Sequence, residues 1–228
     1  MKHYVSIYYD ETTLEHVNLH GHALLFVPDV IECDEIHGLF DLPSEAYYPK
    51  QTLLKHIGKI RSNGCHTHKF HFSKLSGKKL NQSDRANLEL ASLLADGLLP
   101  IRSPSFPNSP NIKAAVMYYP IDADFEMYGG DAPKEQRLRL DETILRMLLK
   151  GACHYFYDKK NEVIIKSLYI DGDPKYRNLD LNRIVNRLFN EEQHGRSVLR
   201  DYVTFDPKFD IVHLDSNHNI YSFGTDSY

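Results

Sequence analysis

Apolar positions recur along the chain with two periods, and the switches between them predict its elements. Residues 4–9 (YVSIYY) alternate, with Val5, Ile7 and Tyr9 on one face, and Ala23 to Val27 is a continuous apolar run ended by Pro28. Together they predict a strand hairpin or near-hairpin. Residues 34–62 read as mostly helical with interruptions at Pro43 and Pro49, and KFHFS at 69–73 alternates as a third strand. Leu90, Ala91, Leu94 and Leu98 make a helical stripe within 82–99, closed by Gly97 and Pro100. Further strands are expected at Ile112–Tyr119, Val163–Ile170 and Phe209–Leu214, with a helix from about Lys134 to Phe156. Leu181, Ile184, Val185, Leu188 and Phe189 fit the i, i+3, i+4, i+7, i+8 template of an amphipathic helix. The order β-β-α-β-α-β-α-β-α-β predicts an α/β fold with a single mixed sheet flanked by helices.

One segment stands apart. Residues 100–111 (PIRSPSFPNSPN) hold four prolines, three serines and two asparagines, which excludes helix and central strand. Neither half has enough strands to close its own sheet, so the segment is expected to be a surface loop within one domain covering 1–228.

Composition narrows the partners. Lys plus Arg is 27 against 31 for Asp plus Glu, a formal net charge of −4. A protein that coats polyanions is basic overall, so any nucleic acid here must meet a local patch. No apolar run approaches the ~18 residues of a membrane span, and MKHYVSIYYDE lacks the apolar core of a secretory signal. Cys33, Cys65 and Cys153 are odd in number and unrelated in spacing, which fits a reduced, cytoplasmic setting without a disulfide framework.

Phosphate-binding and dinucleotide-binding glycine loops, the nucleophile elbow and H-E-x-x-H are all absent. What the pattern offers is acids at strand ends. Asp10 and Glu11 follow the first strand, Asp171 and Asp173 follow VIIKSLYI, and Asp215 follows FDIVHL. Ligands of open α/β sheets gather beyond the carboxyl ends of strands. Three or four carboxylates converging there can hold a pair of Mg²⁺ or Mn²⁺ ions for phosphodiester hydrolysis, with Asp10, Asp171 and Asp215 as metal ligands and Glu11 beside them. The bland account of each acid taken singly is a turn residue. Asp171 and Asp173 also form a D-x-D pair, as in metal-dependent nucleotide-sugar transferases.

Histidine forms a second concentration. His20 and His22 are two apart and share a face if extended, while Cys65, His66, His68 and His71 fall within seven positions. Such N and S donors can bind Zn²⁺, yet no C-x-x-C pair or finger spacing occurs, so surface or hydrogen-bonded histidines are the expected account. His68 or His71 near the carboxylates could serve in proton transfer. Lys74, Lys78 and Lys79 (SKLSGKK) are candidate phosphate contacts, against the plain alternative of a solvated turn.

These residues, in this order, resemble a family. A first strand ending in Asp-Glu-Thr, the lysine-bearing KFHFSK, YID at Asp171 and HLDSN at Asp215–Asn217 are similar to the motifs of the RNase H-like domain-of-unknown-function family thirty-eight hundred. The resemblance would span the whole chain and implies an RNase H-like fold, a metal-dependent nuclease activity and a bacterial or mobile-element defence setting. Thr12 and Thr13 depart from the family's Ser-Gly. The family's closing Gln-Leu-Ala-Asp helix has no counterpart in YSFGTDSY, where Asp226 is a poor match. The resemblance therefore implies a chain cut short, a partner subunit that supplies the last acid, or an incomplete site. Three readings stand at this point: a nuclease, a non-catalytic interaction subunit that keeps the fold, and a D-x-D transferase.

Overall fold

A computed structural model describes residues 1–32, 46–47, 49–62, 85, 88–89, 92, 112–121, 133–171, 178–189 and 198–214. The third strand expected at 69–73, the loop at 100–111, and residues His68, His71, Lys74, Lys78, Lys79 and Asp215 lie outside these. Contacts concentrate in two compact units, one of Met1–Phe26 with Lys113–Leu214 and one of Val27–Ile112 with Asp215–Tyr228.

The first unit is a single mixed sheet with helices. Strand β1 (Lys2–Leu14) turns through a short 3₁₀ segment, Glu15–Val17, into β2 (Leu19–Glu32). Asn18 closes that turn in the left-handed region at φ 55°, a conformation Asn tolerates better than most residues. β4 (Lys113–Pro120) pairs antiparallel with β2, and β5 (Glu162–Asp171) pairs parallel with both β1 and β6 (Val203–Leu214). The resulting order is β4-β2-β1-β5-β6.

The strands expected at 4–9 and 23–27 are the apolar cores of much longer ones. Polar DETTL continues β1 beyond its last partner on β5, the Tyr9–Ile170 pair, as one arm of the hairpin with β2. Helix α2 (Pro133–Phe156) buries Leu140, Ile144, Leu145, Leu148, Leu149, Ala152 and Cys153, spaced three, four or one apart as a core-facing stripe requires. Of these, Leu145, Leu148, Leu149, Ala152 and Cys153 join Val5, Ile7 and Tyr9 of β1 and Val163, Ile165, Leu168 and Ile170 of β5 in one cluster. Burial pushes the Cys153 thiol up to about 12, which makes it an inert core residue.

Helix α3 (Leu181–Asn186) is shorter than its apolar stripe predicts. Asp180 caps it by accepting the Arg183 N–H, and beyond Asn186 the chain tightens as Leu188 N–H bonds to the Val185 carbonyl. Leu188 is nevertheless fully buried, so the spacing still reports the face that packs. The buried Glu142 of α2 fixes this helix start: its Oε1 accepts the Asp180 N–H at 3.0 Å, and Oε2 pairs with Arg183. Glu142→Ala leaves the Asp180 N–H unsatisfied and should cost about 1–3 kcal/mol in denaturant unfolding. A loss no larger than that of an exposed surface mutant would show that Glu142 is not the anchor.

His3 is the main buried base near the start of β1. It is 2% exposed, meets the Tyr157 ring edge-on at 5.6 Å, and its pKa is lowered to about 4 by burial and by the nearby Lys113 ammonium. Lys113 is itself tied down, donating to the Phe156 carbonyl at 2.8 Å with its ammonium 4.2 Å from the Tyr157 ring centre. A depressed histidine pKa means the unfolded chain binds the extra proton between about pH 6.5 and 4. Stability should therefore fall as pH drops through that window, by roughly 3 kcal/mol. His3→Phe removes the titration, and its stability-versus-pH curve should be flatter there by that amount; superimposable curves would refute the assignment.

The second unit contains the end of β2, where Ile31 and Glu32 pair with Tyr47 and Ala46 of the two-residue strand β3 (Ala46–Tyr47), followed by helix α1 (Pro49–Ser62). Pro49 opens α1, where its missing N–H is no loss. Among its described side chains Leu53 and Ile57, four apart, are buried, and Lys50 pairs with Asp29 at 3.2 Å.

Candidate metal centre on the first hairpin

Strand alternation divides the polar arm of β1 between two sides. Tyr9, Glu11 and Thr13 point one way, and Asp10 points the other. On β2, His20 and His22 share the side of Glu11, as their two-residue spacing requires, and both are buried. Between them Gly21 lies opposite Tyr118 of β4; a Cβ at Gly21 would come within 2.5 Å of the Tyr118 ring, so a larger residue there would have to displace that ring. Tyr119, opposite His20 in register, turns its ring toward both imidazoles, with centroids 5.3 and 5.6 Å away.

One ligand atom each from Glu11, His20 and His22 lies within 4.8 Å of the others. His20 Nε2 stands 3.5 Å from Glu11 Oε2, and His22 Nε2 stands 3.7 Å from Asp141 Oδ1 on α2. The opposite ring nitrogens are held separately: His20 Nδ1 bonds the Thr13 hydroxyl at 2.9 Å and His22 Nδ1 the Tyr9 hydroxyl at 2.6 Å. Asp141 Oδ1 accepts from the Tyr119 hydroxyl at 3.1 Å and from Arg137 Nε at 3.2 Å. Burial raises the Asp141 pKa to about 6, with the Glu11 charge adding to the rise and Arg137 opposing it. Burial and the same acids push the Tyr9 and Tyr119 hydroxyls well up, so both remain protonated.

The strand-end acids are distributed as follows. Asp10 is exposed, and its Oδ1 accepts the Glu11 N–H at 2.9 Å. Asp171 ends β5 and pairs with Leu214 of β6. The β1–β5 pairing ends at Tyr9–Ile170, so Asp10 and Asp171 are each the next residue beyond that last pair. Glu11, expected to stand with Asp10, is instead across the strand among the histidines. The sequence reading of His20 and His22 as hydrogen-bonded residues holds in that each ring bonds a hydroxyl; the expectation of a surface position does not, since both are buried. Sequence reasoning missed Asp141, Tyr9 and Tyr119 altogether. The signal available for Tyr9 and Glu11 was their shared parity on an alternating strand; Asp141 lies too far along the chain for any spacing rule.

Among the described residues no helix is long and apolar enough to cross a membrane. Compared with family models, with curated proteins and with solved structures, the chain matches none.

Proposed function

We propose that the protein is a metal-dependent nuclease on an RNase H-like sheet. The observation that carries this reading is the parallel register of β1 with β5: their last pair, Tyr9–Ile170, stands one residue before Asp10 and Asp171, and β6 pairs with β5 up to Asp171–Leu214. The strand order supports the same reading: an antiparallel meander joined through β1 to two parallel crossover strands. The donor set fits a hard, oxygen-seeking cation, since the acids proposed here are carboxylates and Asp10 is open to solvent.

Mg²⁺ or Mn²⁺ bound there would neutralise charge on the phosphodiester in its transition state and ease deprotonation of the attacking water. The chain's own contribution is positional. The Glu11 N–H fixes the Asp10 carboxylate through Oδ1, and the parallel pairing of β1 with β5 sets strand axes about 4.8 Å apart, which is within reach of a shared ion. Asp215 would complete the ligand set, Lys74, Lys78 and Lys79 would meet phosphates, and His68 or His71 would take part in proton transfer; none of these six lies among the described residues. A partner subunit would supply any further acid, and a bacterial defence setting is part of the proposal.

The test is cleavage of single- and double-stranded DNA and RNA by the full chain with Mn²⁺, Mg²⁺ or EDTA, together with any subunit that co-purifies. Metal-dependent cleavage abolished by EDTA is expected. Inertness on all substrates with both metals and the partner would replace the nuclease by a non-catalytic interaction subunit of the same fold.

A further inference from the structure

We infer that Glu11, His20 and His22 form a binding site for a transition-metal dication, separate from the oxygen-ligand site proposed for Asp10 and Asp171. This inference does not rest on the nuclease reading. Two imidazoles and one carboxylate are the donors of three-ligand zinc centres and of the facial triad of other first-row metals, whereas Mg²⁺ and Ca²⁺ take oxygen.

Two independent features point to a cation. The first is spacing. Ligands bound at about 2.1 Å on a tetrahedral ion stand about 3.4 Å apart, and His20 Nε2 and Glu11 Oε2 are 3.5 Å apart. His22 completes the triangle with all three ligand atoms within 4.8 Å, so closure onto one ion needs only a small inward adjustment. The second is the arrangement behind the ligands. Metal-binding histidines are characteristically held by a hydrogen bond at the nitrogen that does not face the metal. Here Thr13 and Tyr9 hold both rings by Nδ1 and leave both Nε2 atoms facing carboxylates. Asp141, braced by Tyr119 and Arg137, lies beside His22 Nε2 as a neighbouring carboxylate.

All three ligands belong to β1 and β2, so an ion would pin the two arms of the hairpin beyond the point where β1 leaves β5. Three protein ligands also leave a position for water or a substrate atom.

The experiment is calorimetric titration of the chelator-stripped full chain with Zn²⁺ and, separately, Mg²⁺. It is joined by thermal melting and by the visible absorption of the Co²⁺ form. One equivalent of Zn²⁺ should bind, raise the melting temperature and be indifferent to excess Mg²⁺, and Co²⁺ should show the bands of a nitrogen–oxygen site of low coordination number. Glu11→Gln keeps the size of the side chain and should weaken Zn²⁺ binding at least about 10-fold, and Thr13→Val, an exposed position, about 10–100-fold through the His20 ring. Asp10→Asn should bind Zn²⁺ as wild type does, which separates this site from the proposed catalytic one. Absence of stoichiometric Zn²⁺ binding to wild type, equal competition by Mg²⁺, or unchanged affinity in both Glu11→Gln and Thr13→Val would overturn the proposal and leave a Glu11–His20 ion pair in its place.

Discussion

Asp10→Asn should lower the Mn²⁺-dependent cleavage rate at least about 10²-fold while leaving the melting temperature unchanged or slightly raised. The substitution keeps the shape of the side chain and retains an oxygen able to accept the Glu11 N–H, so the local backbone bond at 2.9 Å survives. What disappears is the negative charge that would hold a divalent cation beside Asp171. In the metal-free fold that charge sits near Glu11 and on the strand next to Asp171, and like charges brought together oppose folding. A purely structural Asp10 would give the reverse pattern, with stability lost and cleavage per folded molecule unchanged. Melting curves and Mn²⁺ cleavage rates on the two proteins, measured side by side, separate these outcomes.

The second large effect concerns the core rather than the site. Leu145→Ala should cost about 2–5 kcal/mol, because the residue is fully buried at 0% exposure in the cluster that joins α2 to β1 and β5. Within that range the value depends on how far the neighbouring stripe residues collapse into the space left behind. Met147→Ala, two positions along the same helix but 52% exposed, should stay within about 0.5 kcal/mol. The comparison is informative because the two changes alter helix propensity similarly, so the difference isolates burial. Urea midpoints are the measurement, and equal losses at the two positions would mean that the face of α2 has been assigned wrongly.

How much of this was legible in the chain depends on the distance over which each feature is specified. The alternation of Val5, Ile7 and Tyr9 and the stripe on α2 are local patterns, and they predict the strand and the helix that the structure has, within one mixed α/β sheet. The extension of β1 through DETTL was not legible, since nothing apolar marks it; pairing within the hairpin, not burial, keeps those residues extended. The shared face of His20 and His22 followed from their spacing, but the partnership with Glu11 depends on how the turn at Asn18 brings β1 back against β2. The approach of Asp141 requires the packing of α2 on the sheet, which no local period encodes. Helix α3 shows the converse: Leu188 obeys a helical spacing although the helix has already ended at Asn186.

The irregular pairing of β5 bears directly on where Asp171 comes to rest. Val5 pairs with Ile165 and Ser6 with Ser167, so Lys166 is one residue more than β1 provides for. Before it the odd-numbered Val163 and Ile165 are buried, and after it the even-numbered Leu168 and Ile170. The extra residue thus acts as a phase shifter between the two halves of the strand. Were Lys166 paired in step with Ser6 rather than bulged, counting on from Ile165 would put Asp171 opposite Glu11, about 3.3 Å further along β1, and Leu168 and Ile170 would exchange faces with Ser167 and Tyr169. A single bulged residue in the middle of the strand therefore sets the phase in which β5 runs past the Tyr9–Ile170 pair to its end at Asp171.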